Sequence, residues 1–247
     1  MSSYGKMHRL SRLFGKDRIL IMAMDHGIPM GEQKGLFDIE ELLRKTHKDI
    51  DAVILNKGTV DTLDFKVLNR VELIYKLNGI TSNAPNPYDL VMFTSVEEAI
   101  SYDPSALSYE LYIGAEQEQR RVEELATVLR QASKFDIPVI SHIYPNAEKK
   151  DPKIISHCIR LGLEIGTDVI KTFYFPGMRE QVLRTRKPIV IAGGDRLSSP
   201  EDVYEYVKNA MYSGVKGIAM GRNLWGWNEK TAEVVEKVGE IVHSRKK

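Results

Sequence analysis

Lys171 is a lysine in surroundings where lysine is uncommon. It follows two β-branched residues and precedes Thr172 and two aromatic residues, whereas most other lysines lie in polar helical segments or near the chain ends. Burial disfavours the ammonium form of such a side chain, and Schiff-base chemistry requires a neutral amine near pH 7. The sequence therefore indicates an imine-forming lysine. The alternative is a buried lysine that pairs with a carboxylate such as Asp25 and performs no chemistry.

A tyrosine and a histidine share one face of another predicted strand. The strand Pro138–Ile143 continues into Tyr144, and a period of two places His142 and Tyr144 on the same side. If that side faces inward, a phenol and an imidazole point into one cavity and can move protons there. The alternative is that Tyr144 is an aromatic plug whose hydroxyl is satisfied locally.

Asp25 and His26 follow a run of four apolar residues, and Gly27 permits a sharp exit from the strand. This placement predicts a functional acid, and the alternative is that Asp25 caps a loop while His26 bonds to the backbone. Lys57 also follows a predicted strand. There we expect the plainer outcome, a lysine that extends its ammonium group into solvent.

Paired glycines follow the last two predicted strands and suggest an anion site. Gly193 and Gly194 end one strand, and Gly221 and Arg222 end the next. Glycines let backbone N–H groups approach an anion closely, and an arginine adds a forked donor. Residues 223–225 are expected to form a short extra helix there. The pattern predicts a phosphate cradle, and the alternative is that the glycines only make tight turns.

Eight short apolar runs separated by amphipathic segments must position these residues. The predicted strands are Arg18–Met24, Ala52–Leu55, Leu90–Phe93, Leu107–Ile113, Pro138–Ile143, Asp168–Thr172, Pro188–Ala192 and Gly217–Met220. Helical periodicity is clearest in Glu116–Lys134, Lys153–Ile165 and Pro200–Tyr212. Alternation of strand and helix about every thirty residues predicts parallel strands joined by right-handed crossovers.

Eight such units in 247 residues predict an α/β fold, a single-domain (β/α)₈ TIM barrel over residues 1–247. An open doubly wound sheet is the rival, and the absence of a G-x-G-x-x-G motif after the first strand weakens its dinucleotide-binding version. Active sites of these barrels form at the carboxyl ends of the strands. Every residue singled out above falls at such an end or just beyond it.

Composition narrows the classes of function. The formal charge is 35 − 34 = +1, so nothing favours a nucleic-acid partner. No apolar run reaches the eighteen residues of a membrane span, and no secretory signal is recognised. Cys158 is the single cysteine, and a cytoplasmic location is the default. Because His26 and His142 are the only histidines at strand ends, we expect neither a metal nor a cofactor, although metal-dependent chemistry remains a rival to imine formation.

Lysine, phenol, acid and phosphate cradle together describe a class I aldolase, in which an iminium ion acts as the electron sink for breaking or forming a C–C bond. The residues that carry this pattern resemble the DeoC/FbaB family of class I aldolases, the archaeal-type fructose-bisphosphate aldolases. The resemblance spans about residues 10 to 243 and rests on five motifs, which are 24–27, 144–145, 168–172, 191–194 and 217–223.

The resemblance implies a Schiff base at Lys171, with Tyr144 as the main proton donor and acceptor and Asp25 as an assisting carboxylate base. It also implies a phosphate held by four residues, which are Gly193, Gly194, Gly221 and Arg222. The substrate would be a phosphorylated sugar, most simply fructose 1,6-bisphosphate cleaved to dihydroxyacetone phosphate and glyceraldehyde 3-phosphate. Members of the family are commonly rings or stacked rings, so a homo-oligomer is expected.

Two departures from the family pattern fall where the second substrate would bind. Tyr144 is followed by Pro145, Asn146 and Ala147, where members often have Pro-Arg-Gly, and His142 replaces a tryptophan. His142 and Asn146 are therefore candidate substrate-binding residues, and so are His26 and Gly27 at the end of the first strand. The alternative activity is that of a 2-amino-3,7-dideoxy-D-threo-hept-6-ulosonate synthase, a transaldol reaction with aspartate semialdehyde. A third possibility is a phosphate-ligand binding or regulatory protein on a barrel that has lost catalysis.

Overall fold

The computed structural model describes residues 3–146 and 151–244, and Ala147 lies outside them. The strands are β1 (Ile19–Ala23), β2 (Ala52–Leu55), β3 (Glu72–Lys76), β4 (Asn78–Gly79), β5 (Val91–Met92), β6 (Ala106–Ile113), β7 (Val139–Pro145), β8 (Val169–Phe173), β9 (Ile189–Ala192) and β10 (Gly217–Met220). All except β4 and β5 close into one barrel of parallel strands in chain order, with β10 pairing back to β1. The predicted (β/α)₈ barrel is confirmed.

Helices connect the strands and cover the outside of the barrel. They are α1 (Tyr4–Leu13), α2 (Gly27–Met30), α3 (Ile39–Thr46), α4 (Lys57–Thr62), α5 (Phe65–Leu68), α6 (Val96–Ile100), α7 (Glu118–Lys134), α8 (Pro152–Ile165), α9 (Arg179–Arg184), α10 (Pro200–Tyr212), α11 (Arg222–Trp225) and α12 (Thr231–His243). The α10 helix begins as its sequence indicates, because the Ser199 hydroxyl accepts the Asp202 N–H at 3.2 Å. Within the described residues, no helix has the length and apolarity needed to cross a lipid bilayer.

One predicted strand was wrong. The third strand of the barrel is β3, not Leu90–Phe93, since Val91–Met92 pairs only with Asn78–Gly79 in a small antiparallel ribbon. The apolar centre of β3 is only three residues long and has a charged residue at each end. Glu72 forms an ion pair with Arg12 at 2.8 Å, and Lys76 enters the opposite end of the barrel, so a short apolar stretch suffices there.

Successive side chains of each strand point alternately into the barrel and outward to the helices, so the apolar core has an inner and an outer part. Ile19, Ile21 and Ala23 of β1 point into the barrel, whereas Leu20 and Met22 point outward to the helices. The inner cluster contains mostly Ile, Val and Ala, which fill the barrel in layers. Leu13 of α1 joins this cluster and is 1% exposed. One end of the barrel interior is thus packed with apolar side chains, which leaves the other end for polar groups.

Candidate active site

A cavity of about 320 Å³ opens at the carboxyl ends of the barrel strands. It brings together nine of the predicted site residues, which are Asp25, His26, His142, Tyr144, Lys171, Gly193, Gly194, Gly221 and Arg222. Gly27 and Asn146 are not on its wall. Gly27 begins the short helix α2, and the backbone N–H of Asn146 bonds to the Ile113 carbonyl at 2.9 Å.

Lys171 reaches this cavity from β8, where it lies in register with His142 of β7. Its side chain is 5% exposed and forms no ion pair with any described residue. Burial lowers the pKa of the amine and the nearby ammonium of Lys76 adds to this effect, whereas the carboxylates of Asp25 and Glu110 oppose both, and the net result is a pKa of about 8. At that pKa roughly a tenth of the amine is neutral at pH 7, against roughly one in 2,500 for an ordinary lysine.

A second buried lysine holds the carboxylates near Lys171. The Lys76 ammonium lies 2.5 Å from Glu110 Oε2 and 3.5 Å from Asp25 Oδ2. Asp25 is therefore paired with Lys76 rather than with Lys171. Burial disfavours all three charges, but their mutual attraction outweighs it, so the pKa of Lys76 is raised and the pKa values of Asp25 and Glu110 are lowered.

Sequence reasoning missed Lys76 and Glu110. Their signals were present, since Lys76 ends a strand and a period of two in β6 turns Ser108, Glu110 and Tyr112 to one side. Asn78 fixes the backbone at Glu110, because its Nδ2 donates to the Glu110 carbonyl at 2.7 Å and its Oδ1 accepts the Glu110 N–H at 2.8 Å. The charged pair is thus anchored in the barrel wall.

Tyr144 stands beside this charged group with its ring stacked on Phe173, the centroids 4.8 Å apart. Burial raises the pKa of the Tyr144 phenol well above its ordinary value, and the charge of Glu110 adds to this effect. The hydroxyl of neighbouring Tyr112 donates to Glu110 Oε1 at 2.6 Å, whereas that of Tyr144 bonds to no described residue. Tyr144 therefore offers the cavity a protonated hydroxyl that can donate.

His26 forms part of the wall below the predicted phosphate site. Its ring meets Trp225 edge-on, with centroids 5.2 Å apart, and its Nδ1 lies 3.6 Å from Asp25 Oδ1. Burial lowers the pKa of the imidazole, although Asp25 acts in the opposite direction. Trp225 packs within this chain and donates from Nε1 to the Ala23 carbonyl at 2.9 Å.

The glycines at the ends of β9 and β10 form a close-fitting recess next to Lys171. Gly194 has φ +68°, a conformation that favours glycine. A Cβ on Gly221 would lie 2.1 Å from His26 Cε1, so no other residue fits there without displacement. Arg222 bonds through Nη2 to the Gly194 carbonyl at 3.2 Å, and its Nε is buried without a partner among the described residues. This recess can hold an anion.

Lys57, the other lysine that follows a predicted strand, does not line this cavity. Lys57 forms an ion pair with Glu98, and both side chains are partly exposed, in line with the expectation of a solvent-facing lysine. In residues 3–146 and 151–244, no three His, Cys, Asp or Glu side chains converge in a way that could hold a metal ion.

A parallel barrel with a buried lysine at the carboxyl ends of its strands is the arrangement expected of a Schiff-base aldolase. The chain belongs to the DeoC/LacD family of aldolases, whose family model matches residues 19–226. It is 28% identical to the 2-amino-4,5-dihydroxy-6-oxo-7-(phosphonooxy)heptanoate synthase of Streptomyces griseus, over 98% of this chain and 91% of that protein. It is 31% identical to the class 1 fructose-bisphosphate aldolase of Thermoproteus tenax, over 96% of this chain and 94% of that protein.

A solved structure shows the same architecture. It is an archaeal fructose-1,6-bisphosphate aldolase whose catalytic lysine is covalently bound to the carbinolamine intermediate of the substrate. The present chain superposes on it with a TM-score of 0.86 at 29% identity, over 97% of this chain and all of that one.

Proposed function

We propose that this protein is a metal-independent class I aldolase that acts on a phosphorylated ketose. The observation that carries the proposal is a buried amine with a pKa of about 8 beside a recess for an anion. The Lys171 amine attacks the ketone, and loss of water gives an iminium ion that draws electrons from the neighbouring C–C bond. The Gly193–Gly194 and Gly221–Arg222 recess holds the phosphate.

In the direction of C–C bond formation, a base removes a proton from the carbon next to the iminium, which leaves a neutral enamine. The charged carboxylate of Asp25 serves as that base. The enamine carbon then attacks the aldehyde, and Tyr144 donates its proton to the forming alkoxide. Water finally releases the product and restores the amine. Cleavage is the reverse of these steps.

Fructose 1,6-bisphosphate, with dihydroxyacetone phosphate and glyceraldehyde 3-phosphate as products, is the first candidate substrate. The similarity to the Thermoproteus tenax aldolase supports it, and the recess next to Lys171 would hold one of its two phosphates. The reaction would belong to glycolysis or gluconeogenesis.

An aldehyde with an amino group is the second candidate for the acceptor. Besides the phosphate recess, the described wall of the cavity carries the carboxylates of Asp25 and Glu110, and the ammonium of Lys76 is already shared between them. The compound that the Streptomyces griseus synthase is named for is an aldol whose C4–C5 bond joins aspartate semialdehyde to dihydroxyacetone phosphate. A synthase reaction with aspartate semialdehyde therefore fits the negative end of the site.

Borohydride reduction in the presence of dihydroxyacetone phosphate tests the shared part of the proposal. Mass spectrometry should find the reduced adduct on Lys171, and the Lys171→Met variant should carry none and lose all turnover. Absence of the adduct from Lys171 in the wild-type protein would end the proposal. Turnover is then compared with each acceptor on one preparation. Activity that persists in EDTA excludes a metal-dependent aldolase, and tight sugar-phosphate binding without turnover would favour a binding protein.

A further inference from the structure

His142 keeps an unused hydrogen-bond donor or acceptor at the wall of the cavity. The residue is 1% exposed and lines the cavity, and its Nε2 finds no hydrogen-bond partner among the described residues. Leaving a buried polar group unpaired costs free energy, and native proteins do so rarely. An unpaired nitrogen beside a reactive lysine therefore points to a ligand atom that completes it.

The neighbours of Nδ1, the other ring nitrogen, indicate whether Nε2 is a donor or an acceptor. Nδ1 lies 3.5 Å from the Lys76 ammonium, which can only donate. Glu110 Oε2 is 3.7 Å from Nδ1, beyond hydrogen-bond distance, and already accepts from Lys76 at 2.5 Å. We therefore assign Nδ1 as the acceptor and place the ring proton on Nε2. Burial and the two nearby ammonium groups lower the pKa of His142 to about 3, although Glu110 acts in the opposite direction, so the ring is neutral and its Nε2–H is a neutral donor.

The order of the strands determines which part of a substrate meets this donor. Around the barrel, β8 with Lys171 lies between β9, which ends at the phosphate recess, and β7, which carries His142. In a ketone phosphate bonded through its carbonyl carbon to Lys171, the phosphate-bearing carbon points toward β9. The other carbon attached to the imine must point toward β7. In dihydroxyacetone phosphate that carbon carries a hydroxyl group.

We propose that the Nε2–H of His142 donates a hydrogen bond to the hydroxyl group on the carbon across the imine from the phosphate. The site thereby selects phosphorylated ketones with a hydroxyl at that carbon over ketones that lack it. This inference rests on the proposed imine at Lys171 and applies to either acceptor. A ketone without the hydroxyl leaves the buried N–H unpaired, and sites built in this way discriminate strongly against such analogues.

Competitive imine trapping tests the inference. The wild-type protein is reduced with borohydride in a mixture of dihydroxyacetone phosphate and hydroxyacetone phosphate, which lacks the hydroxyl, and the two adducts on Lys171 are quantified by mass. We expect the preference for dihydroxyacetone phosphate to be roughly 10- to 100-fold higher in the wild type than in His142→Phe. His142→Gln, whose side-chain N–H can replace Nε2–H, should keep most of the preference.

The outcomes separate this inference from the proposed function. An adduct with hydroxyacetone phosphate in His142→Phe shows that the variant is folded and reactive. Equal preferences in the wild type and His142→Phe would overturn the role of His142 while leaving the imine chemistry intact. A preference that changes between about pH 6 and 9 would also overturn it, because a fixed neutral donor does not titrate there. If neither ketone labels wild-type Lys171, the proposed function and this inference fail together.

Discussion

Replacing Lys76 by Met should raise the pKa of Lys171 and slow imine formation at neutral pH. Lys76 carries a permanent positive charge between Asp25 and Glu110. Its ammonium lowers the pKa of Lys171, and the two carboxylates raise it. The substitution removes the positive charge that lowers the pKa of Lys171 and leaves both carboxylates without their cation. Both changes therefore raise the pKa of Lys171.

The size of the effect follows from the pKa of about 8 in the wild-type protein. Loss of one neighbouring charge shifts a buried group by roughly one to two units, and each unit cuts the neutral fraction at pH 7 about tenfold. The rate of imine formation at pH 7 should fall roughly 10- to 100-fold. Above about pH 10 both proteins carry mostly neutral amine, so most of the defect should disappear there.

The assay is the rate of borohydride-trapped adduct on Lys171 as a function of pH. Lys76→Arg keeps the charge and should keep the wild-type midpoint, and Lys57→Met, which breaks only the partly exposed pair with Glu98, should not move it. Glu110→Gln should move the midpoint down, because Glu110 raises the pKa of Lys171. A Lys76→Met midpoint at or below the wild-type value would refute the electrostatic argument.

Three further predictions concern proton transfer, the phosphate recess and stability. Tyr144→Phe should lower turnover by about 10²- to 10⁴-fold while the trapped imine still forms, and unchanged turnover would remove its role. Gly221→Ala places a Cβ 2.1 Å from the His26 ring and should raise KM for the ketone phosphate at least about tenfold, whereas Gly27→Ala, with no atom within 4 Å, is its control. Although burial acts in the opposite direction, hydrogen bonds from His243 and from the Leu20 backbone N–H lower the pKa of Asp51 below its ordinary 3.8. The charged form of Asp51 therefore stabilises the fold above that value, and this stabilisation is lost as the pH falls below it. In urea unfolding, the free energy of unfolding of Asp51→Asn should be lower than that of the wild type by about 1–3 kcal/mol at pH 7 and by less near pH 3.

The barrel could be predicted because most of its strands are recognisable in the sequence. Strands buried on both faces read as continuous apolar runs, as in Ile19–Ala23 and Ile189–Ala192. Strand Glu72–Lys76 does not follow this pattern, because both of its end residues are charged. Glu72 pairs with Arg12 at one end of the barrel, and Lys76 pairs with Glu110 at the other. Leu90–Phe93 resembles a barrel strand in sequence because four consecutive apolar residues look the same whether they form a barrel strand or a short ribbon.

The meeting of Lys171, Tyr144 and Asp25 in one cavity could be predicted from the sequence, but the charges around them could not. Lys171, Tyr144 and Asp25 each stand out at the end of a strand, and the barrel rule then places them together. Lys76 and Glu110 are 34 positions apart, and only the pairing of β3 with β6 brings them into contact. The tautomer of His142 depends in turn on that ion pair, so it becomes visible only when the three side chains are placed.

In the proposed reaction, the charges around Lys171 allow one amine to be neutral when it attacks the ketone and to carry a positive charge afterwards. Asp25 and Glu110 supply two negative charges and Lys76 one positive charge, so the group has a net charge of −1 when Lys171 is neutral. Formation of the iminium at Lys171 brings the sum to zero, which a poorly solvated cavity favours. Burial lowers the pKa of the free amine, and the excess carboxylate stabilises the cation that follows. Lys76 limits that excess to one charge, since two unpaired carboxylates would hold Lys171 in its unreactive ammonium form.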